Sequence, residues 1–396
     1  MKPKVAIAGA TGFIGRWFIQ RYKHQYDIIA LSRRRMQDDP AYAGVEWRQV
    51  ELYSLSSTEN ALRGADYAIY LVHSMQPSTR LNQGSFDDTD VLLADNFRRA
   101  AELNELKQII FLGGILPEQD YSFSRHLRSR YEVEQTLSAG PVPLTALRAG
   151  VIVGPGGSSF RIIEKLVRRL PAMLCPKWTL SRSQPIGLED TLRILEHCLG
   201  AEEYYDQHFD IGGAEVISYI DMLRTVARLI GKKRFIRSVP VFSLGLSKLW
   251  VATFADSSTT LVSPLVESLR HELLVTPNKL MAQFPDVKGF EAAARRAIQE
   301  ENEVPNLPAT EPQPATERNT VRSVQRLPNP SNRSAIWVAR RYQTWLPRFF
   351  RYLIRVKQRG ETSIFKVGPW ELLQLRFIKD RSDVDRQLFY IVGGQL

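Results

Sequence analysis

Two stretches near the N-terminus have residue types and spacing suited to holding phosphate groups. Gly9-Ala10-Thr11-Gly12-Phe13-Ile14-Gly15 fits GxxGxxG. In such a turn the first glycine permits the sharp bend and the second lets the backbone approach a pyrophosphate. The third lets the following helix pack close to the sheet. That helix then offers free N–H groups and the positive end of its dipole to an anion. The turn follows an apolar run, Lys4–Ala8, and precedes Phe13, Trp17, Phe18 and Tyr22 at helical spacing, which is the strand–turn–helix context the motif requires. Gly9, Thr11, Gly12, Phe13, Ile14 and Gly15 are therefore candidate dinucleotide-binding positions. The plainer alternative is a structural turn with no ligand.

The second stretch bears on which dinucleotide. An NAD site places Asp or Glu about 20 residues beyond the turn, where it holds the ribose 2′-hydroxyl. Here the second strand, Asp27–Leu31, runs instead into Ser32-Arg33-Arg34-Arg35. A guanidinium at that place can pair with a 2′-phosphate and stack on adenine. Ser32, Arg33 and Arg34 thus favour NADP(H) over NAD(H), against the alternative of a solvated basic turn.

These residues need a sheet to position them. Apolar runs at Val45–Val50, Tyr67–Val72, Gln108–Leu112 and Leu144–Val153 continue the strand pattern. A helical pattern spans Val91–Leu103, with Asp88 or Thr89 as its N-cap. Strands alternating with helices imply an α/β fold with a Rossmann-type, doubly wound parallel sheet. Ligands of such sheets lie beyond the carboxyl ends of the strands. Leu71, Val72 and His73 after strand four should then line adenosine and ribose. Gly113 ends strand five. Ala149 and Gly150 should border the nicotinamide.

Helical patterns at Phe160–Leu170 and Tyr219–Ile230, the latter closed by Gly231, lie in a smaller substrate lobe spanning mainly 155–297, within a first domain of 1–300. Residues 301–333 are rich in proline and poor in apolar residues, a linker composition. Residues 334–396 recover aromatic and apolar content as a short α+β region. The two cysteines, Cys175 and Cys198, show no metal-ligand spacing and suit core thiols of a reducing compartment. No metal site is expected. The apolar segment around Val239–Phe254 is broken by Lys248 and is too short to span a bilayer.

The motifs taken together resemble the short-chain dehydrogenase/reductase superfamily, in its extended and atypical branch. Beyond Gly9–Gly15 the resemblance rests on Tyr70-Leu71-Val72-His73-Ser74-Met75, Phe111-Leu112-Gly113-Gly114-Ile115 and His126-Leu127-Arg128-Ser129-Arg130. Gly154–Phe160, Gln184-Pro185-Ile186 and Phe209–Gly213 extend it. It covers about residues 1–295 and is similar to bacterial NAD(P)H-binding proteins of the YbjT type, relatives of nucleoside-diphosphate-sugar epimerases. Residues 335–396 resemble a shortened form of an uncharacterised domain, DUF2867.

The resemblance implies a Tyr-x-x-x-Lys pair with a nearby Ser or Thr, in which lysine lowers the tyrosine pKa and the phenol exchanges a proton with substrate. In this chain His126 falls at the tyrosine position and Arg130 at the lysine position, and Gly113-Gly114 replaces the hydroxyl residue. Two readings stand. His126 serves as acid–base, since imidazole titrates near neutrality, with Arg130 holding ribose or phosphate. Alternatively, His126 is a surface histidine of a basic helix and the chemistry needs no protein acid. The expected activity is that of an NADP(H)-dependent oxidoreductase on a small carbonyl, a quinone or a nucleotide-sugar. The rival is a non-catalytic NADP(H)-dependent sensor or assembly factor.

The net charge is +11, and after residue 300 there are 16 Lys and Arg against 9 Asp and Glu. Trp337, Arg340, Arg341, Tyr342, Trp345, Arg348, Phe349 and Arg351 form a basic aromatic stretch. Such a stretch suits an anionic membrane surface or a protein partner. The rings can equally form a small core with the strands that follow. The expectation is a cytoplasmic protein, peripheral at the inner membrane face at most, with no nucleic-acid module.

Overall fold

A computed structural model describes residues 2–73, 86–117, 124–239 and 271–310, and the backbone of four strands between 354 and 391. The chain divides into two compact units, 1–312 and 313–396.

The first unit begins with β1 (Lys4–Ala8), α1 (Phe13–Tyr22), β2 (Asp27–Ser32), β3 (Val45–Gln49), α2 (Leu55–Leu62) and β4 (Tyr67–Tyr70). Next come α3 (Phe86–Leu103), β5 (Gln108–Gly114), α4 (Arg125–Ser138) and β6 (Leu144–Ala149). The chain continues through β7 (Ile152–Val153), α5 (Ser158–Arg169), β8 (Ala172–Pro176), β9 (Arg182–Ser183), β10 (Ile186–Gly187) and α6 (Leu188–His197). The last elements of this unit are β11 (Gln207–Ile211), β12 (Ile217–Ser218), α7 (Tyr219–Leu229), β13 (Phe235–Val239) and α8 (Phe290–Gln299).

Seven strands form one parallel sheet in the order β11-β6-β5-β4-β1-β2-β3. The direction of winding reverses between β1 and β4, which places a crevice beyond their carboxyl ends. Alternation along β1 explains why both faces are covered. Val5 and Ile7 join a core with Phe18 and Leu192, from α1 and α6. Ala6 and Ala8 join a second core with Phe97 and Val133, from α3 and α4. All four of these β1 residues are fully buried, so the strand reads as an unbroken apolar run, as a central parallel strand must. A third core unites Phe160 of α5, Met222 and Val226 of α7, and Phe290 of α8 with Met173 and Cys175. This is the smaller lobe. Cys175 and Cys198 are both buried free thiols.

The structure differs from the sequence expectation in several places. The helix expected from Val91 starts at Phe86, so Thr89 and Asp90 lie inside it and are buried. The acidic run there suits a helix start, but tertiary burial extended the helix upstream. The strand expected over Leu144–Val153 stops at Ala149. Gly150 breaks the line, and Ile152–Val153 leaves the main sheet to pair with Ile186–Gly187.

The first part of the Pro-rich stretch, residues 301–310, is hydrogen-bonded to the rest of the first unit. Glu301 Oε2 accepts from Gly156 N–H at 3.1 Å, and Arg16 donates to Pro305 O at 3.2 Å. Tyr42 Oη donates to Asn306 O at 2.9 Å, and Met36 bridges Thr310. Backbone carbonyls that composition left without partners are thus satisfied by α1 and the β2–β3 connection. Residues 311–333 lie outside the described residues, as do residues 240–254 and the aromatic stretch 337–351.

In the second unit, β14 (Ile354–Arg359), β15 (Thr362–Val367), β16 (Trp370–Ile378) and β17 (Gln387–Ile391) make an antiparallel meander. No helix among the described residues is long and apolar enough to cross a membrane.

Candidate functional site

The glycine turn lies at the reversal point of the sheet. Gly9 has φ +89°, a conformation that favours glycine, and its carbonyl accepts from Gly12 N–H at 2.9 Å. A Cβ on Gly9 would stand 3.0 Å from the Leu71 carbonyl carbon and oxygen. One on Gly15 would stand 2.5 Å from Gly9 O and 2.8 Å from Ala10 Cα. The turn, the start of α1 and the end of β4 are therefore packed backbone to backbone. α1 has no side-chain cap at Gly12 and no acid in its first turn, so no carboxylate of its own segment covers its first N–H groups. This is the geometry that receives an anion.

Phe13 turns its ring toward Gly154 and Gly157, where added Cβ atoms would come within 3.1 Å and 3.0 Å of it. Ile14 belongs to the core. Thr11 is half-buried and Gly12 is exposed. At the end of β2, Ser32 is buried and its hydroxyl accepts from Arg34 N–H at 3.2 Å. That bond folds the chain so that Arg33 and Arg34 extend into solvent.

Beyond β4, Leu71 N–H donates to Ala8 O at 2.9 Å, which ties this segment to the glycine turn. Leu71, Val72 and His73 remain half-buried along the carboxyl edge. Gly113 and Gly114 pair in register with Arg148 and Ala149. A Cβ at Gly113 would meet the Phe111 ring at 2.8 Å, and one at Gly150 would meet Ser183 Oγ at 3.3 Å. Gly150 therefore faces the smaller lobe, as the border of a substrate space would.

Arg130 is not where a ribose-holding or phosphate-holding group would need it. It is 6% exposed. One terminal nitrogen donates to Val72 O at 3.0 Å and the other to Leu112 O at 2.8 Å. Its guanidinium lies over the Phe111 ring, 4.6 Å from the centroid. Burial pulls its pKa below the ordinary arginine value, opposed by the charge of Asp90. The residue joins the ends of β4 and β5 and holds their carbonyls, so its donors are committed to backbone.

His126, by contrast, meets a partner that its place in the sequence does not reveal. Its Nδ1 lies 3.2 Å from Nε2 of His73. His73 Nδ1 in turn lies 3.1 Å from Asp90 Oδ2. Ser129 Oγ donates to the same carboxylate oxygen at 3.3 Å. The carboxylate is 1% exposed. Three elements supply this chain: α3 gives Asp90, the end of β4 gives His73, and the first turns of α4 give His126 and Ser129. Ser124 caps α4 by accepting from Leu127 N–H at 3.2 Å, which fixes the rotation that points His126 at His73. Burial lowers the pKa of both histidines. For His126, desolvation with the charges of its neighbours takes it to about 3. For His73, desolvation outweighs the bond to Asp90. Asp90 and Ser129 were missed in the sequence. The only signal for Asp90 was an acidic run at a helix start, which has a commoner explanation.

Among the described residues no group of three His, Cys, Asp or Glu could hold a metal ion. A separate cavity of about 520 Å³ lies among α1, α6 and α8, lined by Trp17, Arg21, Glu189, Arg193 and Arg296. It contains none of the residues of the glycine turn.

Comparison with known proteins agrees with this architecture. Residues 5–174 match the sequence model of the NAD dependent epimerase/dehydratase family. The auxiliary protein GraX of Staphylococcus aureus is 29% identical over 114 residues, which are 29% of this chain and 37% of that protein. The match thus spans little more than a third of that relative's length. A solved nucleoside-diphosphate-sugar epimerase from Staphylococcus aureus superposes with TM-score 0.59 at 15% identity, over 74% of this chain and all of that one. The triphenylmethane reductase of Citrobacter sp., solved with NADP(H), gives 0.57 at 16%, over 74% of this chain and 99% of that one. The enzyme WbmG of Bordetella bronchiseptica, solved with NAD, gives 0.58 at 15%, over 76% and 95%. At these identities the likeness is one of fold: an α/β architecture with a central parallel sheet.

Proposed function

We propose that the first unit binds a nicotinamide dinucleotide, NADP(H) in preference to NAD(H), and acts as an oxidoreductase of the short-chain dehydrogenase/reductase type. The observation that carries this reading is the Gly9–Gly15 turn at the reversal point of the sheet, whose glycines let β1, α1 and the end of β4 pack backbone to backbone at the place where such sheets receive a pyrophosphate. The family match over residues 5–174 and the two neighbours solved with NAD and NADP(H) support it.

In this reading Gly9 and Gly12 shape the turn, closed by the Gly12 N–H bond to Gly9 O, and Thr11, Phe13, Ile14 and Gly15 line the pyrophosphate with backbone at the start of α1. Arg33 and Arg34 meet the 2′-phosphate, and Ser32 sets the turn that presents them. No acidic side chain ends β2 to hold a 2′-hydroxyl instead. Leu71, Val72 and His73 flank the ribose, and Gly113, Ala149 and Gly150 border the nicotinamide. The bound dinucleotide would supply hydride transfer. His126 takes the proton-exchanging place that tyrosine holds in related enzymes. Arg130 is a positioning residue, because its donors hold the strand ends on which Val72 and Leu112 sit. The substrate class is a small carbonyl or alcohol, a quinone, or a nucleotide-sugar.

Side-by-side fluorescence titration of the full chain with NADPH and NADH tests this. Tight NADPH binding with weaker NADH binding is expected. Binding of neither would overturn the reading.

Two observations favour a second reading, a dinucleotide-dependent sensor or assembly factor. The Arg130 guanidinium is committed to the Val72 and Leu112 carbonyls, and Gly113-Gly114 supplies no hydroxyl. The basic second unit would then contact an anionic membrane surface or a protein partner. Salt-sensitive binding of the full chain to anionic vesicles, without any turnover, would support that version.

A further inference from the structure

We propose that Asp90, His73 and His126 form a proton-accepting chain whose open end, His126 Nε2, takes the proton of a substrate hydroxyl. This deepens the oxidoreductase reading and rests on it for the hydride acceptor. It assigns a direction: dehydrogenation of an alcohol.

The argument is one of donors and acceptors. A carboxylate accepts only, so His73 Nδ1 must carry the hydrogen that bonds Asp90 Oδ2 at 3.1 Å. A neutral His73 then has a bare Nε2. That bare nitrogen can only accept, so the 3.2 Å bond to His126 is donated by His126 Nδ1–H. A neutral His126 is left with its lone pair at Nε2, which bonds to none of the described residues. Each link determines the next, and the buried carboxylate fixes the first. The groups facing the chain reinforce this state. Arg130 of α4 adds a positive charge that disfavours an imidazolium at either histidine. Ser129 donates to the carboxylate rather than accepting from it. Tyr70 of β4 is fully buried and stays a neutral phenol, burial having raised its pKa. With both histidines held neutral around pH 7, the open end accepts a proton and does not donate one.

The step balances. A hydroxyl proton moves to His126 Nε2, the Nδ1 proton of His126 moves to His73 Nε2, and the Nδ1 proton of His73 moves to Asp90 Oδ2. Three bonds to hydrogen break and three form, and the substrate oxygen keeps the electron pair. Oxidation to the carbonyl also needs a hydride acceptor, and the proposed function names its class, an oxidised nicotinamide dinucleotide. The product state carries a neutral acid at the buried carboxylate and two neutral imidazoles, so no new charge is created in the interior.

Long-range proton–nitrogen NMR of the full chain with ¹⁵N-labelled histidine reads these tautomers directly. The six histidines are assigned with His73→Gln and His126→Gln. The expected spectrum has both His73 and His126 protonated at Nδ1 only, and both neutral at pH 7. Asp90→Leu, which removes the acceptor, should move His126 toward the Nε2–H form. An Nε2–H tautomer or an imidazolium at His73 in the unaltered chain would overturn the proposal, as would a His126 tautomer that ignores Asp90→Leu in a folded protein. If that variant does not fold, the unaltered spectrum decides alone. Dinucleotide titration is independent of this measurement, so failure of the chain and failure of the binding reading are told apart.

Discussion

His73 Nε2 and His126 Nδ1 lie 3.2 Å apart, with their rings inclined at 57°. The contact joins the end of β4 to the first turn of α4. An imidazole pair backed by a buried carboxylate thus lies beside the carboxyl edge of the sheet.

This contact has a consequence for acid stability. His126 has a folded-state pKa of about 3, against roughly 6.5 for an unfolded histidine. Above pH 6.5 both states are neutral and the group contributes nothing. Between pH 6.5 and 3 the unfolded chain takes up a proton that the folded chain does not. Stability therefore falls as pH falls through that window, by up to about 1.4 kcal/mol per pH unit for this one group. Denaturant unfolding of the chain and of His126→Gln from pH 7 to pH 4 should show a shallower loss in the variant. Parallel curves would mean that His126 is not desolvated.

Arg130 should matter for stability before it matters for any ligand. Replacing it with Met leaves Val72 O and Leu112 O without donors beneath Phe111. A loss of about 1–3 kcal/mol for each buried carbonyl left unsatisfied is expected. Arg130→Lys, with one nitrogen for two carbonyls, should fall between. An Arg130→Met protein with unchanged denaturation midpoint would remove the structural role assigned to this residue.

Gly9→Ala places a side chain at φ +89° and against the Leu71 backbone. The left-handed backbone alone costs about 1–2 kcal/mol. The larger effect falls on binding, because Leu71 can yield only by moving the edge that should hold the ribose. The expected outcome is a folded protein with a slightly lower Tm and no measurable NADPH affinity. Retained affinity would mean that the turn is structural only.

Arg33 and Arg34 are exposed, so changing both to Ala should leave stability within about 0.5 kcal/mol. NADPH should bind at least about tenfold more weakly, since each charged hydrogen bond contributes about 1.5–3 kcal/mol. NADH affinity should stay the same. Equal weakening of both cofactors would place the arginines at the shared pyrophosphate and remove the basis for NADP(H) preference.

The sequence by itself determined the parts of this protein that are local. The glycine spacing, the apolar run of β1 and the helix pattern after it fix a strand–turn–helix unit. Each constraint there acts within about ten residues and is written in residue type. The alternating strands and helices fixed the sheet class for the same reason, since periodicity is a local property. The Gly231 stop after α7 was legible too, and it has φ +67°.

Only the tertiary structure decided the proton chain and the fate of Arg130. Asp90 and His73 are 17 residues apart, His73 and His126 are 53 apart, and Arg130 lies 58 from Val72. Which of them meet depends on strand order, on the upstream start of α3 and on the rotation of α4 set by its Ser124 cap. A motif position alone makes His126 and Arg130 look like a matched pair, four residues apart on one helix. The fold separates them, because Arg130 satisfies carbonyls at the strand ends while His126 reaches a second histidine. The attachment of residues 301–310 is of the same kind. A proline-rich composition reports that a segment cannot make its own core, and says nothing of carbonyls that a neighbouring Arg16 or Tyr42 can bond.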